Sequence, residues 1–366
     1  MHVRSPLDLV AMITDLDCKF SIVVPLYNKE AEIARCLQSI IVQTVSAFEV
    51  ILVNDGSSDR GPAIAESFAQ RDPRIRVHHQ FNAGLAAARN QGVSMARADY
   101  VAFLDADDEW LPEHLETLSW MILSHPEAGL FFTAFWVDRG GGWRRQIRVP
   151  AKYLKRSSLI SDYYQVPDGV TLPSATAMRK RSMEAVGGYR EMFGEDVDLN
   201  LRMAALYPVA YSCRPTAIWH LDAANRMCVA QNKQAVLHDP GSLMSSLNLI
   251  GSQPNLRTSV LIQATEYVAR RERKAIITTV LAGQVEHGSL LYGVWQKRFH
   301  KRSLTLRVLL NAPPALIAVL QTARKWWRRA SIACAYLRDR YLLEEGTFPN
   351  PKLSAGIVNT LKARRL

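Results

Sequence analysis

The sequence predicts an α/β domain with a mostly parallel central sheet and flanking helices, followed by a helical C-terminal extension. From residue 20, short segments rich in β-branched residues alternate with segments of helical periodicity, which is the order of βαβ units. The short segments are apolar throughout, as is typical of parallel strands covered by helices on both faces. Ligands of such sheets bind beyond the carboxyl ends of the strands.

The individual elements follow from this alternation. The predicted strands are FSIVVPL, FEVILVN, IRVHH, YVAFLD and GLFFTAFWV, and later VTLPSATAM and two β-like pieces, VAYSC and TAIWHL. Helices are predicted over about 30–44, 60–71 and 112–124, after Lys180, and within GGYREMFGEDVDLNLRMA. An alanine-rich helix after IRVHH is expected to begin at Asn82, whose side chain can cap it.

Length and composition indicate one large domain with an appendage. The chain has 366 residues, of which 48% are apolar. We expect an N-terminal segment over 1–19, a catalytic domain over 20–225 and a helical, basic region over 226–366. The first segment contains three aspartates and no uninterrupted apolar stretch, so we expect no signal peptide and a cytoplasmic location. Five scattered cysteines predict neither a disulfide framework nor a zinc cluster.

The net charge of +11 belongs to the end of the chain. From Lys297 onward there are 15 Lys and Arg but 3 Asp and Glu. Two interpretations stay open: contact with an anionic membrane surface, favoured by Trp326 and Trp327 beside four cations, or a helical cap with its basic face in water. The apolar run LTLRVLLNAPPALIAVL is interrupted by Arg307, Asn311, Pro313 and Pro314, so it is not expected to span a membrane. No nucleic-acid partner is expected.

An acidic run, Asp105 to Asp108, follows the strand YVAFLD. Residues two apart in extended backbone share one face, roughly 7 Å apart at Cα, so Asp105 and Asp107 are expected to converge on one ligand. Mg²⁺ or Mn²⁺ takes one or two protein carboxylates and completes its shell with phosphate oxygens and water. The alternative is that these aspartates cap the next helix.

The first two strands end without the Gly-x-Gly-x-x-Gly turn of dinucleotide-binding domains, which disfavours a dehydrogenase. The first ends in Pro25, Leu26 and Tyr27, and Tyr27 offers an aromatic face for a base. At the end of the second, Asp55 can accept a hydrogen bond from a base imide. An ordinary turn rich in Asp and Ser is the alternative.

Other candidate residues lie further along the chain. Glu195 and Asp196 precede an apolar helical pattern, either as stabilising N-terminal charges or as a catalytic base. His220 ends TAIWHL and is either a core histidine or a metal ligand. The run RGGGWRRQIR, residues 139–148, could close over a charged acceptor or donor phosphates, but a solvated surface loop is favoured.

The order of VVPLYNKE, VILVNDGSSD, NAGLAAARNQG and YVAFLDADD resembles the signature of glycosyltransferase family 2, on the Rossmann-like GT-A fold, over residues 20 to about 225. The resemblance implies nucleotide-binding roles for Pro25, Tyr27, Glu30, Asp55, Arg89 and Asp105. Tyr27 would stack on the base, Asp55 would bind it, and Glu30 would lie near the nucleoside. Arg89 would support the pocket, and Asp105 would contact the ribose or diphosphate. Asp107 would be the direct metal ligand, with Asp105 beside it.

The same resemblance makes Asp196 the general base, places Glu195 at the acceptor, and suggests that His220 completes the metal or diphosphate shell. The serine-containing stretch that often follows such a histidine is echoed only by Asn225, which leaves the diphosphate contacts there in doubt. The implied reaction is the transfer, with inversion, of a sugar from a nucleotide-sugar to a hydroxyl of a saccharide or lipid-linked glycan acceptor. A UDP-sugar is the expected donor, and Mn²⁺ or Mg²⁺ is the expected cofactor.

Three other functions are alternatives to a glycosyltransferase. A sugar nucleotidyltransferase would need a Gly-rich basic loop where PLYNKE stands. A processive polysaccharide synthase would need several long apolar helices, which the sequence lacks. A non-catalytic nucleotide-sugar-binding homologue is disfavoured by the presence of Asp105, Asp107 and Asp196 together.

Overall fold

A computed structural model describes most of the first 311 residues. The described ranges are 20–140, 144–146, 158–160, 163–165, 171–192, 194–222, 242–254, 256–281, 285–299 and 303–311, with the single residues Ile317 and Thr322.

Ten strands form one mixed sheet in the described part of the chain, in the order β3-β2-β1-β4-β9-β6-β10-β5. In addition, β7 pairs with β6 and β8 pairs with β10. The strands are β1 Phe20–Leu26, β2 Phe48–Asp55, β3 Ile75–Gln80, β4 Tyr100–Phe103, β5 Glu109–Trp110, β6 Leu130–Asp138, β7 Arg144–Gln146, β8 Ser158–Ile160, β9 Thr176–Arg179 and β10 Val209–His220.

The first four strands pair in parallel, as the alternation of strands and helices predicts. Their neighbour β9 is antiparallel to both β4 and β6, so β6 runs in the same direction as β4. Since β10 is parallel to β6, the carboxyl ends of β1, β2, β4 and β10 lie at one edge of the sheet. The candidate residues at those strand ends are thereby brought to the same side of the domain.

Helices cover the sheet and continue beyond it. They are α1 Ile33–Ile41, α2 Gly61–Ala69, α3 Leu85–Met95, α4 His114–Ser124, α5 Lys180–Ala185, α6 Glu195–Leu206, α7 Ser242–Gly251, α8 Thr258–Leu281, α9 Val285–Phe299 and α10 Leu304–Leu310. A large apolar core joins the sheet to α1 and α4, with strand residues such as Ile22 and Phe131 and helix residues such as Leu37 and Leu118 fully buried. The expected α/β fold with helical flanks is confirmed.

The start of α3 differs from the prediction. Its N-cap is Gly84, at φ +90°, and no side chain caps it, so the expectation that Asn82 caps this helix is wrong. This helix approaches the sheet closely at Gly92, where an added Cβ would lie 2.4 Å from Cγ1 of Val23. A glycine there allows α3 to lie directly on β1.

Two strand predictions also need correction. The segments VAYSC and TAIWHL form one strand, β10, whose register against β6 shifts around Pro215. The strand YVAFLD ends at Phe103, and Asp105 to Asp108 form a turn in which the Asp108 amide donates to the Asp105 carbonyl at 2.9 Å. The two carboxylates therefore do not project from an extended strand.

The C-terminal helices up to α10 belong to the same compact unit as the sheet, and this unit ends at Asn311. Within it, the Trp295 indole of α9 donates to the Ala269 carbonyl of α8 at 2.9 Å. The boundary predicted near 225 falls in 223–241, outside the described residues, and stays a prediction. None of the described helices is long and apolar enough to cross a membrane. Trp326 and Trp327 lie outside the described residues.

Candidate active site

The loops after β1 and β2 interlock at the carboxyl edge of the sheet. Asn28 has φ +51°, and its side-chain oxygen accepts the Ser58 amide at 2.8 Å, while its own amide donates to the Ser57 hydroxyl at 3.1 Å. These contacts fix the backbone on one side of Tyr27, whose side chain is 50% exposed. An aromatic face is thus open to solvent where a base would stack, and the assignment of Tyr27 stays a prediction.

Glu30 also connects the loop after β1 to the loop after β2. Its amide donates to the Asp59 carboxylate at 2.8 Å, and its carboxylate accepts the Arg60 amide at 2.9 Å, at the start of α2. Pro25 is buried within β1 opposite Val53. Both residues lie where the predicted nucleotide site begins, and their contacts with a nucleoside stay predictions.

Asp55 organises the segment that leads into α3. Its buried carboxylate accepts the Gln80 side-chain amide and the Ala83 backbone amide, each at 2.8 Å, and the Gly84 amide at 2.9 Å. The next residue, Gly56, has φ +73°, and a Cβ there would lie 2.9 Å from the Asn82 nitrogen. A carboxylate accepts about four hydrogen bonds, so Asp55 keeps capacity for one more partner.

The acidic turn carries three differently compensated carboxylates. Asp105 accepts a hydrogen bond from Arg89 at 2.7 Å, and Asp107 accepts one from the Lys29 ammonium at 2.8 Å. Asp108 is buried, accepts the Ser174 hydroxyl and accepts the His220 amide at 3.2 Å. Burial, and then the charges of Asp107 and Asp105, raise the pKa of Asp108 well above its usual value despite these hydrogen bonds.

Arg89 joins this turn to the predicted base motif. One guanidinium nitrogen lies 2.7 Å from the Asp105 carboxylate and another lies 2.9 Å from the Glu195 carboxylate, 106 residues further along the chain. The Arg89 side chain is 1% exposed and its guanidinium carbon lies 5.1 Å from the centre of the Tyr189 ring. The two halves of the predicted site are therefore adjacent.

Glu195 and Asp196 begin α6, and both are partly buried. Burial raises the pKa of Glu195, while Arg89 lowers it and the charge of Asp196 raises it, with a net increase. Glu195 is ion-paired with Arg89, and the role of Asp196 as the general base stays a prediction.

Sequence reasoning missed two networks that hold the base helix. Asn90 accepts the Tyr189 amide at 2.9 Å and donates to the Tyr189 carbonyl at 2.8 Å, which fixes the turn before α6 to α3. Asp198 is fully buried and accepts Arg190, Arg202 at 2.6 Å, and the Ser246 hydroxyl of α7. Acidic and basic residues four apart in the α6 pattern were the available signal for the Asp198–Arg202 pair.

His220 lies at the end of β10 and is buried. Its Nε2 is 3.1 Å from the Glu109 carboxylate and its Nδ1 is 3.9 Å from the Asp222 carboxylate. No group of three or more His, Cys, Asp or Glu side chains suited to a metal ion occurs among the described residues. Asp105 and Asp107 do fit a Mg²⁺ or Mn²⁺ ion that is held by one or two carboxylates and has its coordination shell completed by phosphate oxygens. A metal role for Asp105, Asp107 or His220 stays a prediction.

The run 139–148 is only partly described. Arg144–Gln146 form β7 and pair with β6, so this part extends the sheet and is not a loop. Arg139 is exposed, and residues 141–143 and 147–148 lie outside the described residues.

Comparison with known proteins identifies the domain to which this site belongs. Residues 21–187 match the family model of glycosyl transferase family 2. The matched part of the sheet domain is therefore similar to glycosyltransferase family 2. YibD of Escherichia coli, an uncharacterized glycosyltransferase, is 39% identical over 143 residues, which are 39% of this chain and 41% of YibD. The chain thus spans about two fifths of the length of that relative.

Solved structures support the same fold. Staphylococcus aureus TarS in complex with UDP-GlcNAc has a TM-score of 0.54 at 20% identity, covering 69% of this chain and 71% of TarS. The mannosyltransferase PcManGT of Pyrobaculum calidifontis, in complex with GDP-Man and Mn²⁺, has a TM-score of 0.51 at 16% identity, covering 92% of this chain and 97% of PcManGT. At these identities the likeness concerns the GT-A fold of the sheet domain alone.

Proposed function

We propose that this chain transfers a sugar from a nucleotide-diphosphate sugar, a UDP-sugar first, to a hydroxyl group of a saccharide or lipid-linked glycan precursor. The transfer is a direct in-line displacement with inversion at the anomeric carbon. Asp196 accepts the proton of the attacking hydroxyl. Positioning the hydroxyl beside both the base and the donor accounts for much of the expected rate enhancement.

The observation that carries this proposal is the bridge made by Arg89. It connects Asp105, on the predicted donor side, to Glu195, next to the predicted base, at 2.7 and 2.9 Å. A donor phosphate and an acceptor hydroxyl can therefore meet at one place at the carboxyl edge of the sheet. Neither the acidic turn nor the base motif alone would support a transfer reaction.

The donor assignment rests on the nucleotide side. Tyr27 presents a half-exposed ring, and Asp55 keeps one acceptor position that suits the imide N–H of uracil. TarS, which shares the fold, was crystallised with UDP-GlcNAc. These observations support a nucleotide-sugar donor and make a UDP-sugar the first one to test.

Asp107, with Asp105 and His220 beside it, would hold Mn²⁺ or Mg²⁺. Such an ion, when bound, offsets the negative charge that develops on a departing diphosphate. PcManGT, of the same fold, was crystallised with Mn²⁺. The chain's own contribution is to fix these carboxylates, through Lys29 for Asp107 and Arg89 for Asp105.

The basic C-terminal region suits an acceptor that is presented at the cytoplasmic face of an anionic membrane. Its excess of Lys and Arg is the supporting observation. Flotation with vesicles containing anionic lipid should recover the full chain, and recovery should fall when salt is raised. Failure to float at low salt would remove the membrane from the proposal and leave the transfer reaction in place.

The test of the function is Asp196→Asn. The variant should lose sugar transfer, by at least the roughly 10²- to 10⁴-fold that a general base contributes, because an amide cannot accept the hydroxyl proton. UDP affinity, measured by calorimetry with Mn²⁺, should be nearly unchanged. Asp99→Asn, at an exposed position before β4, is the matched control and should keep full activity. Full activity of Asp196→Asn would refute the base assignment, and absence of any UDP binding by the unchanged chain would refute the donor class.

A further inference from the structure

The helix that carries the predicted base is held on the side opposite that base. Asp196 and Asp198 both lie in the first turn of α6, and residues two apart on an α-helix lie on nearly opposite faces. The Asp198 side chain is fully buried, whereas Asp196 is partly buried. The contacts of Asp198 therefore fix α6 from the side away from the predicted base.

Asp198 accepts hydrogen bonds from three segments of the chain. Nε of Arg190, in the turn before α6, donates to Oδ2 at 3.0 Å, and Nη2 of Arg202, one turn further along α6, donates to the same oxygen at 2.6 Å. The Ser246 hydroxyl of α7 donates to Oδ1 at 2.5 Å. Burial alone would raise the pKa of Asp198, but the hydrogen bonds from these three donors outweigh it and lower the pKa from its usual value. Asp198 is therefore a buried charge that depends on all three segments.

Ser246 connects this network to the C-terminal helices. Its side chain is fully buried, and it lies 48 residues further along the chain than Asp198. The Ser246 hydroxyl gives its proton to Asp198, and its oxygen accepts Nη2 of Arg190 at 3.0 Å. One hydroxyl of α7 thus binds both the base helix and the turn that leads into it.

A second contact links the C-terminal helices to α6 at a different place. The Tyr164 hydroxyl donates to the Leu201 carbonyl of α6 at 3.1 Å, and Arg270 of α8 donates to the Tyr164 carbonyl at 2.7 Å. The Tyr164 side chain is buried. The base helix is therefore held by α7 directly and by α8 through Tyr164.

We propose that Ser246 and Tyr164 are positioning residues for the general base, which fix α6 to the C-terminal helices and so hold Asp196 at the acceptor hydroxyl. The proposal rests on the base role given to Asp196 under the proposed function. A catalytic group displaced by about 1 Å can lose about a hundredfold in rate, and a shift of α6 moves the carboxylate at its first turn with it. Helices α7 and α8 thereby take part in the transfer reaction.

Hydrogen exchange tests whether these contacts hold α6. Ser246→Ala and Tyr164→Phe each remove one hydroxyl that donates to α6. In both variants the amides of 199–206 should exchange about tenfold faster than in the unchanged chain, because the helix opens more readily, while the amides of β1 keep their rates. Ser252→Ala is the matched control, since its hydroxyl donates to a carbonyl of α7 at an exposed position, and it should leave α6 unchanged.

Turnover separates a positioning role from a merely structural one. It is followed as UDP released from UDP-GlcNAc with Mn²⁺ present, and water, whose O–H the base can deprotonate, is the acceptor. Both variants should show kcat lowered about tenfold with unchanged KM and unchanged UDP affinity, because the base is displaced and the donor site is not. A variant that is only less stable would keep its kcat at a temperature where circular dichroism shows it to be folded.

The proposal is overturned if α6 exchanges at the unchanged rate in both variants, if both keep full kcat, or if kcat and UDP affinity fall together. Asp196→Asn separates this result from failure of the proposed function. If that variant releases UDP at the full rate, the base assignment fails and the positioning role fails with it. If Asp196→Asn is inactive while Ser246→Ala and Tyr164→Phe remain fully active, only the positioning role is refuted.

Discussion

Replacing Arg89 by lysine tests whether the bridge holds the two halves of the site together. Lysine keeps the positive charge, but one ammonium cannot occupy both positions of the guanidinium, so either Asp105 or Glu195 loses its partner. A hydrogen bond to a charged group contributes about 1.5–3 kcal/mol. The side chains of Asp105 and Glu195 are 26% and 18% exposed, so water partly replaces the lost hydrogen bond. We therefore expect the loss of one ion pair to reduce the free energy of unfolding by about 1–2 kcal/mol.

Loss of the stacked guanidinium over Tyr189 adds about 0.5–1 kcal/mol, for a total near 2 kcal/mol. In a domain of this size class that corresponds to a fall in melting temperature of about 4–8 °C. Urea unfolding followed by circular dichroism measures the free energy, and calorimetry with UDP should show weaker binding in the same variant. Arg97→Lys is the matched control, because the Arg97 side chain is 72% exposed.

A double-mutant cycle makes the test specific for the bridge. In a Glu195→Gln background the same Arg89→Lys change should cost clearly less, because one of the two charged partners is already gone. Two results would contradict this reasoning. One is a loss of unfolding free energy for Arg89→Lys that equals the loss for Arg97→Lys to within about 0.5 kcal/mol. The other is that the effects of the Arg89 and Glu195 changes on the unfolding free energy are additive.

Two further changes test the packing of α3 and the charge state of the acidic turn. Gly92→Ala should destabilise the chain by about 1–3 kcal/mol, because its Cβ would lie 2.4 Å from Val23, whereas Gly293→Ala, with nothing within 4 Å of the added Cβ, should stabilise α9 by up to about 1 kcal/mol. Equal urea midpoints for these two variants would contradict the close approach of α3 to β1. For Asp108 the folded pKa lies above the unfolded one, so its contribution to stability is fully present below the unfolded value and is lost as pH rises through the folded value. The melting temperature of Asp108→Asn should therefore fall less between about pH 4 and pH 8 than that of the unchanged chain. An equal fall in melting temperature for the two proteins would refute a raised pKa of Asp108.

The sequence was sufficient for the parallel strands β1 to β4 because β1, β2 and β4 are largely apolar and all four alternate with segments of helical periodicity. β9 could not be placed from the sequence, since its four residues carry no orientation signal and its pairing with β4 and β6 is decided by tertiary contacts. The same holds for β10, where Pro215 suggests a break but falls at a register shift that the strand tolerates. Periodicity thus predicts which segments become strands better than which strands become neighbours.

Side-chain partners were harder to predict than side-chain positions. Asp55 and Glu195 were placed at a strand end and a helix start from the sequence, and they lie there, whereas Asp105 lies two residues beyond the end of its strand. Their partners come from segments 16 to 106 residues away, as with Arg89, and sequence spacing carries no information about such pairs. Lys29 stood inside the motif PLYNKE, yet its contact with Asp107 depends on how β1 and β4 pair.

The three carboxylates of the acidic turn illustrate how a fold can assign different roles to one short run. Asp108 faces the interior, where two hydrogen bonds and burial suit a structural role. Asp105 is paired with a buried guanidinium that a second carboxylate also holds, so moving Arg89 away would break two ion pairs. Asp107 is paired with the Lys29 ammonium at 2.8 Å. Asp105 and Asp107 therefore carry cationic partners, whereas Asp108 is held by a hydroxyl and a backbone amide, so the predicted ligand roles suit the first two and a structural role suits the third.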